Sequence, residues 1–139
     1  MEKHIKDDCI FCKLANGEIP TNAIYEDEDF KVILDASPVT RGHCLILPKT
    51  HAENLLELPE EYCEKILPVA QKCGQVLMKV LHCDGLNVLQ NNGEVAGQTV
   101  FHLHVHLIPR YKDDNVVIRF EEPVSVDAKA LAQEIREGL

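Results

Sequence analysis

The sequence predicts an α+β fold: a five-stranded antiparallel sheet with one long helix packed on it and short terminal helices. Three features predict it. Five short apolar runs are bounded by turn residues. A single long stretch repeats its apolar residues at three and four positions. The connections between neighbouring runs are mostly too short for parallel crossovers.

Taken in order, Cys9–Asn16 reads as a short helix with Gly17 as its stop. Ala23–Glu26 and Phe30–Asp35 read as strands joined by the acidic turn Asp27-Glu28-Asp29. His43–Pro48 is a third strand, after a loop marked by Ser37-Pro38 and Arg41-Gly42. From Pro59 the period changes. Tyr62, Ile66, Val69, Ala70, Cys73, Leu77, Val80 and Leu81 place one apolar face on a helix. Pro59 with Glu60-Glu61 suits its start, Pro68 is expected to kink it, and Asp84-Gly85 is expected to end it. Leu86–Gln90 and Val100–Pro109 are the next strands, separated by the glycine-bearing loop Asn91–Gly97. A further apolar run, Asn115–Phe120, and a short helix at Asp127–Glu137 close the chain. The 139 residues suit one domain, with residues 111–139 as a strand and helix extension.

With 45% hydrophobic and 27% charged residues the composition is that of an ordinary globular chain. A net charge of -9 argues against a DNA or RNA partner, because an acidic chain gains nothing from counterion release. It does not exclude a small anionic ligand, which imidazoles and backbone N–H groups can hold locally. Neither a secretory signal nor an apolar run of about 20 residues is visible, so no membrane association and a cytoplasmic location are expected. Six cysteines in such a chain suggest no disulfide framework. Cys44, Cys63, Cys73 and Cys83 fall in apolar-periodic stretches and read as buried thiols.

Chemistry concentrates in Val100-Phe-His-Leu-His-Val-His-Leu-Ile-Pro109. On a strand, His102, His104 and His106 face one side, and Leu103, Val105 and Leu107 the other. Three imidazoles in a row have three readings: a solvated polar face, a catalytic metal site, or nucleophilic catalysis at phosphorus. The surroundings favour the last. Gly97-Gln98-Thr99 just upstream offers close backbone approach and neutral donors. A neutral imidazole is a competent nucleophile near pH 7. No cluster of carboxylates accompanies the strand to hold a hard metal. Cys9-Ile-Phe-Cys12 is a second candidate motif, ambiguous between metal and redox use. The absence of a βαβ pattern around it argues against a thioredoxin-like role.

Gln98 through Ile108 resembles the signature of the histidine-triad (HIT) family, in which three histidines alternate with apolar residues. The likeness extends to Cys9–Lys13, Leu34-Asp35-Ala36-Ser37-Pro38, Gly42–His51 and Asn91–Gly97, and covers roughly residues 9–110. The branch it most resembles is the small bacterial, Hint-like one. The resemblance implies an enzyme that hydrolyses or transfers a nucleoside 5′-monophosphate group. His104 corresponds to the nucleophile that attacks the α-phosphorus and forms a nucleotidyl-histidine. His106 corresponds to the histidine that contacts the phosphate, and His43 to a further histidine beside the nucleophile. Gly97, Gln98 and Thr99 correspond to phosphate and leaving-group donors, Asn91 to a residue near phosphate and ribose, and Asp35 to the acceptor of the ribose hydroxyls. Phe11 and Ile33 fall where the family holds the base.

The same resemblance implies a structural zinc ion on Cys9, Cys12, His51 and His102, no organic cofactor, and a homodimer. The expected ligand is a purine nucleotide such as AMP or GMP, released from a phosphoramidate or a related compound. Other readings stay open: a Fhit-like dinucleoside polyphosphate hydrolase, a nucleotide-binding adaptor with weak catalysis, and a zinc-dependent hydrolase. The Trp-containing C-terminal tail of eukaryotic Hint-like proteins has no counterpart, since the chain contains no Trp.

Overall fold

The computed structural model describes residues 2–139. The elements are α1 (Ile10–Ala15), β1 (Ala23–Glu26), β2 (Phe30–Leu34), β3 (Cys44–Pro48), α2 (Glu60–Leu81), β4 (Gly85–Gln90), β5 (Val105–Arg110) and α3 (Ala128–Glu137), with a 3₁₀ turn at Glu94–Ala96. The five strands form one antiparallel sheet in the order β1-β2-β3-β5-β4, so β5 inserts between β3 and β4. No helix among the described residues is long and apolar enough to cross a membrane.

Strand alternation distributes the apolar residues to two faces. Phe30, Val32, Cys44, Ile46, Leu103, Val105 and Leu107 point to one face and pack with Tyr62, Ile66, Val69, Cys73 and Leu77 of α2. Ile33, Leu45 and Leu47 point to the other, where Ala15, Phe11 and Leu14 of α1 meet them. The long helix therefore covers one side of the sheet. The short helix covers only part of the other and leaves the rest open.

Three expectations need correction. The long helix runs unbroken through Pro68 but stops at Leu81, because His82 adopts a left-handed conformation (φ 53°). Gly85 instead opens β4. The last strand begins at Val105, not Val100. Val105 pairs with Gln90, the last residue of β4, and on the other side with Ile46; β3 continues through Leu47 and Pro48, but these pair only with β2, and Pro48 O accepts from the His102 ring. His102 and His104 thus precede the regular strand, although the in–out alternation persists through fully buried Leu103. Finally, Asn115–Phe120 forms no strand. Val117 and Phe120 are largely exposed, and an apolar run without a ladder partner has no reason to extend as a strand.

The turn into β3 depends on Gly42, whose φ is 92°. A Cβ there would run into the Leu81 side chain and press on Pro109 Cγ at 3.2 Å. Gly42→Ala is expected to destabilise the fold by about 3 kcal/mol, combining left-handed strain with overpacking. Chemical denaturation would measure it, and a loss below about 1 kcal/mol would contradict this reading of the turn.

Candidate active site and adjoining metal cage

The open part of the sheet's second face forms a cavity of about 640 Å³, within the usual range for a small-molecule site. Its apolar part is lined by Phe11, Leu14, Pro20, Ile33 and Leu45, and its polar part by Asp35, Thr99, His104 and His106. Each residue has a local cause. Ile33 and Leu45 are directly paired across β2 and β3, so their side chains share this face. Phe11 and Leu14 sit three residues apart on α1, hence on one side of that helix. His106 comes from β5 and His104 from the irregular segment preceding it.

The imidazoles are tied into fixed tautomers. His104 Nδ1 lies 2.8 Å from the backbone carbonyl of His102. A carbonyl only accepts, so Nδ1 carries the hydrogen and the lone pair of the neutral ring sits on Nε2. Val39 N–H donates to His43 Nδ1 at 3.1 Å, which leaves the hydrogen on His43 Nε2. That nitrogen is 2.9 Å from His106 Nδ1 and donates to it. In neutral His106 the hydrogen is then on Nε2. The cavity therefore presents one nucleophilic nitrogen on His104 beside one N–H donor on His106, with ring centroids 5.0 Å apart.

Burial keeps these rings uncharged near neutral pH. It pushes His106 down to about 4, assisted by the neighbouring His104 and His43. Burial also lowers His104, partly offset by its hydrogen bond to the His102 carbonyl and by Asp35. His43 is lowered by the same desolvation despite the Asp35 carboxylate 3.5 Å away. Asp35 has two duties: Oδ1 accepts from Ser37 N–H at 2.8 Å, and Oδ2 faces His43. The Asp35–His43–His106 group has three donors of the two kinds, carboxylate and imidazole, that metals use. Its 2.9 Å N···N distance is nonetheless a hydrogen bond, closer than two nitrogens on one zinc ion, which stand about 3.3 Å apart.

Beside the cavity, Cys9, Cys12, His51 and His102 bring four donor atoms within 4.8 Å of one another. His102 Nδ1 is 3.4 Å from both sulfurs, and His51 Nδ1 is 3.5 Å from Cys12 Sγ. Ligands around a tetrahedral zinc ion stand about 3.5 Å apart at normal bond lengths, so the donor set and its spacing fit such an ion. His102 Nε2 donates to the Pro48 carbonyl at 3.0 Å, which turns the Nδ1 lone pair toward the sulfurs. Burial lowers His102 to about 4 and raises the Cys12 thiol to about 11, so a cation is the agent that would make that thiol a thiolate near pH 7.

The remaining sequence candidates lie on the loop after β4. Asn91 packs against Gly97 but neither lines the cavity. The Gly97 N–H donates to Glu94 O, closing the 3₁₀ turn. Gln98 is buried, and its amide is used internally: Nε2 donates to Glu53 O and Val100 O, and Oε1 accepts from Gly93 N–H. The Gly97 N–H and the Gln98 amide thereby brace the loop that carries Thr99 into the cavity. Leu14, Leu45, Thr21 and Asn22 line the cavity without having been singled out from sequence. For Leu45 the signal was available, since it alternates with the core residues Cys44 and Ile46.

A family model described as the HIT domain matches residues 16–113. The chain belongs to the HIT family. Adenosine 5'-monophosphoramidase HNT1 of Candida albicans is 45% identical over 114 residues, covering 76% of this chain and 72% of that protein. A crystal structure of a HIT family member from Bacillus subtilis superimposes with a TM-score of 0.88 at 38% identity, covering 96% of this chain and 98% of that one. A Zn-bound histidine triad family protein from Mycobacterium smegmatis matches with a TM-score of 0.75 at 39% identity, covering 94% and 97%. The HIT fold thus expected from the residue pattern is the one observed.

Proposed function

We propose that this HIT protein is a nucleotide hydrolase or transferase that cleaves purine nucleoside phosphoramidates at the α-phosphorus through a nucleotidyl-His104 intermediate. The observation that carries this reading is the fixed pair of tautomers in the cavity: a bare Nε2 on His104 next to an N–H on His106. The base occupies the apolar part lined by Phe11 and Ile33, and Asp35 accepts from the ribose hydroxyls. His104 Nε2 attacks phosphorus and the P–N bond to the leaving amine breaks. His106 Nε2–H and the Thr99 hydroxyl bind the phosphoryl oxygens as charge builds on them. The leaving amine takes a proton from solvent and departs, and the water that attacks in the next step returns one to solvent. Water then attacks the nucleotidyl-imidazole, the new P–N bond breaks, and the nucleoside 5′-monophosphate is released. His43 holds the His106 tautomer throughout. The relationship to a named adenosine 5'-monophosphoramidase supports this substrate class over dinucleoside polyphosphates. Rapid quenching of a reaction with adenosine phosphoramidate, followed by peptide mass analysis, should find one nucleotide on the peptide bearing His104. Turnover without such an adduct, or an adduct elsewhere, refutes the mechanism.

Cys9, Cys12, His51 and His102 are the residues proposed to hold zinc. Bound there, zinc would supply no reaction chemistry, and its ligands would be tied together from the N-cap and first turn of α1, the loop after β3 and the segment before β5. The Zn-bound relative supports this identity for the ion.

A homodimer completes the proposal. Leu67, Ala70, Gly74, Met78, Leu86 and Val88 line an apolar groove along α2 and the edge strand β4, and of these Leu67, Met78 and Val88 are exposed. Sedimentation at micromolar concentration is expected to give a dimer, and Met78→Glu to shift it toward monomer; a monomeric wild type would overturn this part.

A further inference from the structure

The early end of β5 exposes an unusual dependence. His104 occupies a segment that no strand ladder holds, yet its Nδ1–H must point at one carbonyl for Nε2 to be bare. That carbonyl belongs to His102, whose ring is fully buried and fixed at both nitrogens. Nδ1 faces Cys9 and Cys12, and Nε2 donates to Pro48 O. Between the two histidines, Leu103 N–H donates to Ala52 O at 2.7 Å, one residue beyond His51. Both ends of the metal cage thus grip the backbone that carries the nucleophile. The third arm, α1, places Phe11 between Cys9 and Cys12 in the chain, and its ring meets His104 edge-on at 4.9 Å.

We infer that the Cys9–Cys12–His51–His102 cage is the positioning device of the nucleophile, setting the tautomer and direction of His104 through the His102 carbonyl, the Ala52–Leu103 hydrogen bond and Phe11. The inference rests on the reading of His104 as nucleophile and of the cage as a metal site. Cys9, Cys12 and His51 are positioning residues: none lines the cavity wall formed by His104 and His106. Without a cation the His51 ring has a weak contact to Cys12 at 3.5 Å and edge-on packing against His4 and His102, so the loop that carries the Ala52 carbonyl loses its strongest tie to the cage. A shift of about 1 Å at a reacting atom costs on the order of 100-fold in rate.

The test uses protein labelled with ¹⁵N-histidine, metal-loaded and metal-stripped, together with His51→Ala and the donor-restoring His51→Cys. Imidazole ¹⁵N–¹H correlation spectra report the tautomer directly, with His104→Gly identifying the resonance. The loaded protein should show His104 in the single Nδ1–H form. Metal-stripped protein and folded His51→Ala should show a mixture of tautomers, with kcat lower by roughly 10–100-fold and KM changed much less. His51→Cys should regain metal, the single tautomer and most of kcat. A folded, metal-free His51→Ala protein that keeps the single tautomer and full kcat overturns the inference. So does wild type that carries no metal yet shows the single tautomer. If His51→Ala does not fold, the stripped wild type decides alone. Failure of the nucleophile reading is separable: it would appear as full turnover by His104→Gly, whereas the tautomer spectra would be unaffected by it.

Discussion

Replacing His104 with glycine is expected to lower turnover of adenosine phosphoramidate by at least about 10³-fold, the scale on which loss of a covalent nucleophile acts. AMP should still bind, since the apolar wall of Phe11, Leu14, Ile33 and Leu45 is untouched. His106→Ala is a useful contrast. It leaves the bare Nε2 of His104 in place and removes only a donor to the phosphate, so the loss should be smaller, on the order of 10²-fold. The order of the two effects matters more than their size. If His106→Ala were the dead variant and His104→Gly retained activity, the tautomer assignment would be reversed.

The second large effect concerns the metal. Protein purified without chelator under reducing conditions is expected to hold about one zinc per chain, since four donors make one closed site. Cys9→Ser should abolish that binding and lower the melting temperature by about 10 °C, roughly 3 kcal/mol of lost folding energy in a chain of this size. Complete unfolding is not expected, because the core between the sheet and α2 includes neither Cys9 nor Cys12. Calorimetry with and without chelator tests this. A melting temperature indifferent to chelator would mean that the four residues act as ordinary buried thiols and imidazoles.

The elements that alternate or repeat cleanly were legible in the sequence. Tyr62, Ile66, Val69, Cys73 and Leu77 mark α2 because one face must be apolar, and β1 matches the expected Ala23–Glu26. Boundaries set by tertiary pairing were not legible. Nothing in Val100–His104 says that β4 ends at Gln90 or that β3 pairs with β5 only as far as Ile46. Nor does Asn115–Phe120 reveal that no strand waits beside it. The same limit applied at the site. The alternation of His102, His104 and His106 was correctly read as one-sided, but which ring turns to the cavity and which to the cysteines depends on α1, brought there from 90 residues away. Gln98 shows the converse. Its residue type suits a phosphate donor, and the sequence does not show that its amide also braces the loop through Glu53, Val100 and Gly93.

The position of β5 between β3 and β4 has a kinetic consequence. β1, β2 and β3 are joined by short connections and can pair early at little loop-closure cost. β5 must wait for the whole of α2 and β4 to be laid down, and it then makes two sets of pairings at once. His102, His104 and His106 all arrive with that last insertion. Hydrogen exchange pulsed during refolding should therefore protect the β2–β3 amides before those of β5. A folding intermediate of this chain would have a formed hairpin and a collapsed helix, but neither His104 in its cavity nor His102 beside Cys9 and Cys12.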